Sequence, residues 1–155
     1  MASIKKLMKI DREISNCIDD REINFIEAEN IISTICEKLN LPKMTIKFCF
    51  YEKKADWFLR KLCRFFNKEK LCDLYEEKIG KRRLRVGEAY HEINYIVLYS
   101  SGQNISTLLH EIAHLLPNGV NHGKNWIKNF KEVVKIYNKE ISICACRQAD
   151  MAEDF

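Results

Sequence analysis

Residues Ile105–Leu116 read ISTLLHEIAHLL, and the two histidines inside that run, at 110 and 114, decide how the rest of the chain is read. Asn104, at the end of the turn-like SGQN of Ser101–Asn104, offers a helix N-cap, and Pro117, Asn118 and Gly119 supply a stop. Small Ala113 and apolar Ile112 suit a buried helix. On a helix, residues i and i+4 lie about 40° apart on one face, so His110 and His114 can both reach one Zn²⁺ at about 2.0–2.1 Å. Glu111 is turned one residue step away, which suits a carboxylate that works on the water beside the metal and not on the metal itself.

A catalytic zinc takes a third protein ligand and keeps one position open. His122 is the natural candidate, because Pro117-Asn118-Gly119 can fold the chain back toward the metal at the start of the next helix. Acidic side chains of that helix are the alternative, Glu132 first among them. With such a site, Glu111 would act as general base, taking a proton as water attacks a peptide carbonyl and passing it to the leaving amine. Tyr90, His91 and Tyr95 are candidates for an extra donor to the oxyanion, though an exposed turn histidine is the plainer reading of His91.

Working outward, Arg82–Tyr90 (RRLRVGEAY) and Ile93–Tyr99 (INYIVLY) read as two strands of a hairpin around His91–Glu92. The second precedes the HExxH helix, and resemblance to HExxH metallopeptidases implies that it lies along an extended peptide substrate as a neighbouring strand. Met44–Tyr51 (MTIKFCFY) alternates Met44, Ile46, Phe48 and Phe50 against Thr45, Lys47 and Cys49, a strand with one buried face. Phe25–Leu39 places Ile26, Ile31, Ile35 and Leu39 at largely helical spacing, with Asn40 as C-terminal stop and Pro42 beyond it. A last helix is expected from about Gly123 to Asn138, with Trp126, Phe130, Val133, Val134 and Tyr137 on one face. Ala55–Ile79 reads as one or two amphipathic helices carrying Phe58, Leu62, Phe65 and Phe66 among lysines and arginines. The architecture implied is α+β, a small sheet packed on helices that include the HExxH helix.

The chain has 155 residues, with 46% hydrophobic and 31% charged, which suits one globular domain able to bury roughly 68–70% of its unfolded surface without a structural metal. Its longest apolar run, Tyr95–Tyr99, is far short of the ~20 residues that cross a bilayer, so a membrane-spanning role is excluded. The opening MASIKKLMKIDREIS reaches Asp11 and Arg12 before any signal-peptide core forms. An intracellular, cytoplasmic or nuclear, non-secreted protein is expected. Seven cysteines, an odd number, with Cys17, Cys36, Cys49, Cys63 and Cys72 scattered through apolar patterns, read as free thiols. The net charge of +4 is uneven, with the excess of basic residues falling in 52–85. There Arg60, Lys61 and Arg64 interleave with Trp57, Phe58 and Phe65, a pattern that suits either a solvated helix with core aromatics or a face for single-stranded DNA.

HEIAHLL from His110, followed by His122-Gly123-Lys124-Asn125-Trp126, resembles the SprT-like zinc metallopeptidases, the group of bacterial SprT and the eukaryotic Spartan proteases. Their signature is HExxH with a downstream H-G-x-x-[FW]. Gly87-Glu88-Ala89 and Ile96-Val97-Leu98 are similar to the family's G-x-A and I-x-L strands, and the resemblance covers about 86–130. It implies a zincin-like minimal metallopeptidase domain with His110, His114 and His122 as zinc ligands and Glu111 as general base, acting on proteins bound or crosslinked to DNA. Two departures stand out: the interval from His114 to His122 is shorter than is usual, and the 52–81 stretch reads as a basic insertion. The domain would run over 1–140. In the tail 141–155, Cys144-Ala145-Cys146 resembles the first half of the family's zinc ribbon, but no Cys or His follows to complete four ligands. The competing class is a non-proteolytic zinc or DNA-binding module that keeps the same scaffold. The presence of Glu111 argues against it, since a binding module has no use for a base beside the metal.

Overall fold

In the computed structural model, residues 4–51, 53–54 and 84–142 are described. The basic amphipathic stretch Ala55–Ile79 and the Cys144/Cys146 tail lie outside them.

Local capping rules account for the helices. Helix α1 spans Ile4–Ser15 and α2 spans Phe25–Leu39. The start of α2 is a capping box: Asn24 Oδ1 accepts from Glu27 N at 2.9 Å, and Glu27 Oε2 accepts from Asn24 N at 3.1 Å. Its end is the left-handed Asn40, φ 50°, whose N–H closes the last turn. Helix α3, Ile105–Leu115, starts at Asn104, which accepts from Thr107 N. Asp20 adds a second brace from outside the helix, accepting from Ser106 N at 2.9 Å and Ser106 Oγ at 2.7 Å. Helix α4, Lys124–Ile136, buries Trp126, Phe130, Val133 and Val134 at helical spacing. The chain then widens into a π-helical turn over Tyr137–Ser142, so the last α-helix ends two residues before the expected Asn138.

Strands β1 (Thr45–Phe48), β4 (Gly87–Tyr90) and β5 (Tyr95–Leu98) form a mixed sheet in the order β1-β5-β4, with β1 parallel and β4 antiparallel to β5. A separate two-residue ribbon pairs β2 (Lys53–Lys54) with β3 (Leu84–Arg85), which brings together the chain on either side of residues 55–83. The β4–β5 hairpin forms as expected, but it turns through a short 3₁₀ segment, His91–Ile93, closed by left-handed Asn94 at φ 47°.

Two expectations change here. The strand assigned to lie beside a substrate, β5, is the middle strand, hydrogen-bonded on both sides; among the described residues the sheet's edges are β1 and β4, and β4 is the one that lines the cleft of the histidines. The alternation expected through Phe50 breaks where β1 ends, so Cys49 is buried with Val97 and Tyr99 while Phe50 is 88% exposed.

The main core lies between the sheet and the helices. Ile46, Ile96 and Leu98 from the sheet meet Ile31 and Ile35 of α2, Leu108, Leu109 and Ile112 of α3, and Trp126 and Phe130 of α4. Burying each large aliphatic or aromatic side chain contributes about 1.5–3 kcal/mol, so this layer fixes α3 against the sheet. Leu109→Ala, at a fully buried position, is a cavity change of about 2–5 kcal/mol.

Candidate metal centre

Helix α3 carries His110 and His114 on one face, one turn apart, with ring centroids 5.0 Å apart. The chain leaves this helix through a turn built to return. Asn118 takes a left-handed conformation, φ 60°, and Gly119 N donates to Leu116 O at 3.0 Å. A Cβ on Gly119 would stand 2.3 Å from Ala113 O, so only glycine lets the turn lie this close to the helix end. Asn129 of α4 donates to Pro117 O at 3.1 Å and Ala113 O at 3.4 Å, which satisfies carbonyls that the helix terminus leaves open. The result brings His122 back over α3 at the head of α4.

The three imidazoles converge. His122 Nε2 stands 3.0 Å from His110 Nε2 and 3.1 Å from His114 Nε2. All three residues could hold one metal ion. Beneath them lies the buried indole of Trp126, its ring centroid 4.7, 5.4 and 4.6 Å from those of His110, His114 and His122. Glu132, the alternative third ligand, is exposed on α4 and does not join the group.

The groups on the far side of two rings bear on their tautomers, through a hydrogen bond at His114 and a facing carboxylate at His110. His114 Nδ1 lies 2.8 Å from Gly119 O and must donate to it, since a carbonyl only accepts. That leaves a lone pair on His114 Nε2. His110 Nδ1 faces Asp11 Oδ1 of α1 at 3.4 Å, which favours the same tautomer. Both lone pairs then point at His122 Nε2, which carries at most one proton, so one of the two short contacts opposes lone pair to lone pair unless a cation lies between them. Nitrogens about 2.0–2.1 Å from a tetrahedral ion stand about 3.3–3.4 Å apart, within a few tenths of an ångström of the arrangement here. The donor set fits a metal. Burial lowers the pKa of His114 to about 4 against the opposing pull of the Gly119 carbonyl, and burial followed by the His110 charge lowers that of His122. Both are therefore held in the neutral form that binds metals.

These histidines line a cleft of about 520 Å³ whose other wall is Val86–His91, the β4 edge. Glu111 lies in the same cleft and is only 6% exposed. Its side chain lies flat against β4 at Gly87, where a Cβ would come within 2.8 Å of Glu111 Cγ and Oε1. Tyr99 N donates to Val86 O at 3.0 Å, which makes that pair a hydrogen-bonded one in the ladder. By antiparallel alternation the backbone groups of Glu88 and Tyr90 then face β5, and those of Gly87 and Ala89 face the cleft.

No family model, curated protein or solved structure matches this chain. What can be said of the site therefore rests on its own geometry.

Of the candidate oxyanion donors, Tyr90 and His91 line the cleft and Tyr95 does not. The Tyr90 hydroxyl is engaged with Glu88 Oε2 at 2.7 Å. His91 is not the exposed turn residue expected: it is half-buried, and its Nε2 is buried without a hydrogen-bond partner among the described residues. The elements and motifs expected from sequence include neither a helix over Ile4–Ser15 nor a site role for Asp11. Ile10, Ile14 and Ile18 at four-residue steps were the available signal, and Ile14 and Ile18 are indeed core residues.

Proposed function

We propose that this chain is a zinc-dependent peptidase of the SprT-like, zincin-type kind, with His110, His114 and His122 as ligands and Glu111 as general base. The observation that carries the reading is the convergence of the three Nε2 atoms in a cleft that also holds a buried glutamate and a free strand edge. A bound zinc ion would supply Lewis acidity, acidifying water and polarising a carbonyl. Glu111 takes the proton from the attacking water and returns it to the leaving amine. The outward N–H and C=O groups of Gly87 and Ala89 hold an extended peptide by backbone hydrogen bonds, which orients the scissile bond with little demand on side-chain identity. Burial of Glu111 against Gly87 keeps bulk water from the carboxylate, which raises the worth of each polar contact.

Proteins held on DNA are the substrate class that the motif resemblance implies, with the basic residues between 52 and 85 as the DNA-facing surface. On that reading, single-stranded DNA binding falls steeply with added salt and disappears when Arg60, Lys61 and Arg64 are charge-reversed. Salt-independent or absent binding removes DNA from the proposal.

Metal analysis combined with a peptidase assay tests the core of the reading. The wild-type protein is expected to hold one zinc and to cleave a protein substrate in a chelator-sensitive way, while His122→Ala keeps its fold and loses zinc. A folded His122→Ala protein that retains its zinc overturns the ligand assignment. Cleavage that persists unchanged in Glu111→Gln overturns the catalytic one.

A further inference from the structure

The three rings are not supported alike. His114 is oriented by a backbone carbonyl five residues away, inside the same turn. His110 is instead faced by a carboxylate from the other end of the described chain, Asp11 on α1, with Oδ1 3.4 Å from Nδ1. We propose that Asp11 is an outer-sphere positioning residue of the metal centre, which orients His110 for metal binding and couples the docking of α1 to metal occupancy. The inference rests on the metal-binding reading above.

The fold holds Asp11 in place by packing and not by chance proximity. Ile14 and Ile18 of the α1 stretch are buried in the main core, and Ile10 packs against it. Asp11 is three residues before Ile14, so it lies on the flank of the packed face and points along the protein surface toward α3. The end of α1 is tied down as well: Asn138 Nδ2 donates to Cys17 O at 3.2 Å. The following segment braces the start of α3, through Asp20 on Ser106 and through Ile105 N donating to Arg21 O at 3.1 Å. The segment that follows the helix bearing Asp11 is thus joined at two points to the start of the helix that carries His110.

The chemistry favours the carboxylate. The His110 side chain is 22% exposed and that of Asp11 is 40%, so the pair is partly shielded from water. An acceptor on Nδ1 fixes the proton there, leaves Nε2 as the ligating atom and raises the basicity of the ring toward a cation. The same contact works in reverse. If α1 docking strengthens metal binding, metal binding must strengthen α1 docking by the same factor, because the two share one coupling free energy.

The test compares wild type with Asp11→Asn and Asp11→Ala for Zn²⁺ affinity, read by competition with a chromogenic chelator. The Glu13→Gln variant serves as a control on the same helix. Loss of such an outer-shell partner is expected to weaken metal binding about 10- to 100-fold. Glu13→Gln should bind as wild type does. Two further readouts separate orientation from mere folding. In the metal-free protein, the imidazole ¹⁵N shifts of His110 should report a proton on Nδ1 in wild type and a tautomer mixture in Asp11→Asn. Amide exchange in α1 should slow on zinc addition in wild type and not in Asp11→Ala. Wild-type affinity in both Asp11 variants overturns the inference while leaving the metal site standing. Failure of the wild-type protein to bind zinc at all overturns the metal-binding reading, and this inference with it.

Discussion

Two glutamates flank the same short strand and do opposite things. Glu111, from α3, lies against the Gly87 side of β4, in the cleft with the three histidines. Glu88 lies on the other face of β4, where its Oε2 accepts from Tyr90 at 2.7 Å and from the buried Tyr99 at 2.6 Å. Two phenol donors on one oxygen tie that carboxylate down as part of the sheet's second face. Burial, and after it the Glu88 hydrogen bond, drive the Tyr99 pKa upward, so its hydroxyl stays a donor. The lesson is that residue type alone does not separate a carboxylate proposed as catalytic from a structural one. What separates them is what each one meets: both residues line the cleft, but Glu88 is held by two tyrosine hydroxyls while Glu111 stands on the helix of two of the candidate ligands.

The sharpest way to break this contrast is to exchange the two carboxylates for amides. Glu111→Gln should retain zinc and lose peptide hydrolysis by about 10²- to 10⁴-fold, the range for a lost general base. Glu88→Gln should leave hydrolysis and zinc content near wild type. Comparable kinetic losses in both variants would erase the distinction.

Gly87→Ala sharpens it from the backbone side. The added methyl would meet Glu111 Cγ and Oε1 at 2.8 Å, so the carboxylate must move by a fraction of an ångström or more. Activity should fall by up to about 10²-fold, the scale for small misplacement of a reacting group, with zinc content unchanged. Metal analysis beside steady-state kinetics checks it.

On the structural side, Glu88→Gln keeps an oxygen that can accept from both tyrosines but removes the charge that strengthens those bonds, and unfolding by denaturant should report a loss of about 1 kcal/mol. The last effect is that of pH on the metal-free chain. Burial lowers the pKa of His114 from 6.5 to about 4, so between those values the unfolded chain binds more protons than the folded one. Stability then rises with pH, is fully present above about 6.5 and is lost on acidification toward about 4. Chemical denaturation across that window, with chelator present, measures it, and His114→Asn should flatten the profile.

Much of the site was legible because it is local. The HExxH spacing, the stop at Pro117–Gly119 and the return of His122 lie in one stretch of chain, and helical geometry with turn chemistry is enough to bring them together. The bounds of α2 follow equally from Asn24, Glu27 and Asn40. What escaped depends on distant partners. The spacing of Ile10, Ile14 and Ile18 signals a helix, but Asp11 gains its meaning only when α1 packs on α4, and no periodicity announces that contact. The middle position of β5 comes from pairing with β1, a parallel contact between strands far apart in sequence, so the edge beside the histidine cleft is β4 instead. Cys49 turned inward because Val97 and Tyr99 offer it a second small core on the sheet's other face.

The Trp126 ring has one more consequence. The chain has two tryptophans, the other being Trp57, and Trp126 sits within ring contact of all three candidate ligands. With Trp57 replaced by phenylalanine, the protein becomes a single-fluorophore sensor of its own centre. The indole emission would then report protonation of the imidazoles, the arrival of a cation and its removal in real time, without a label and without any substrate.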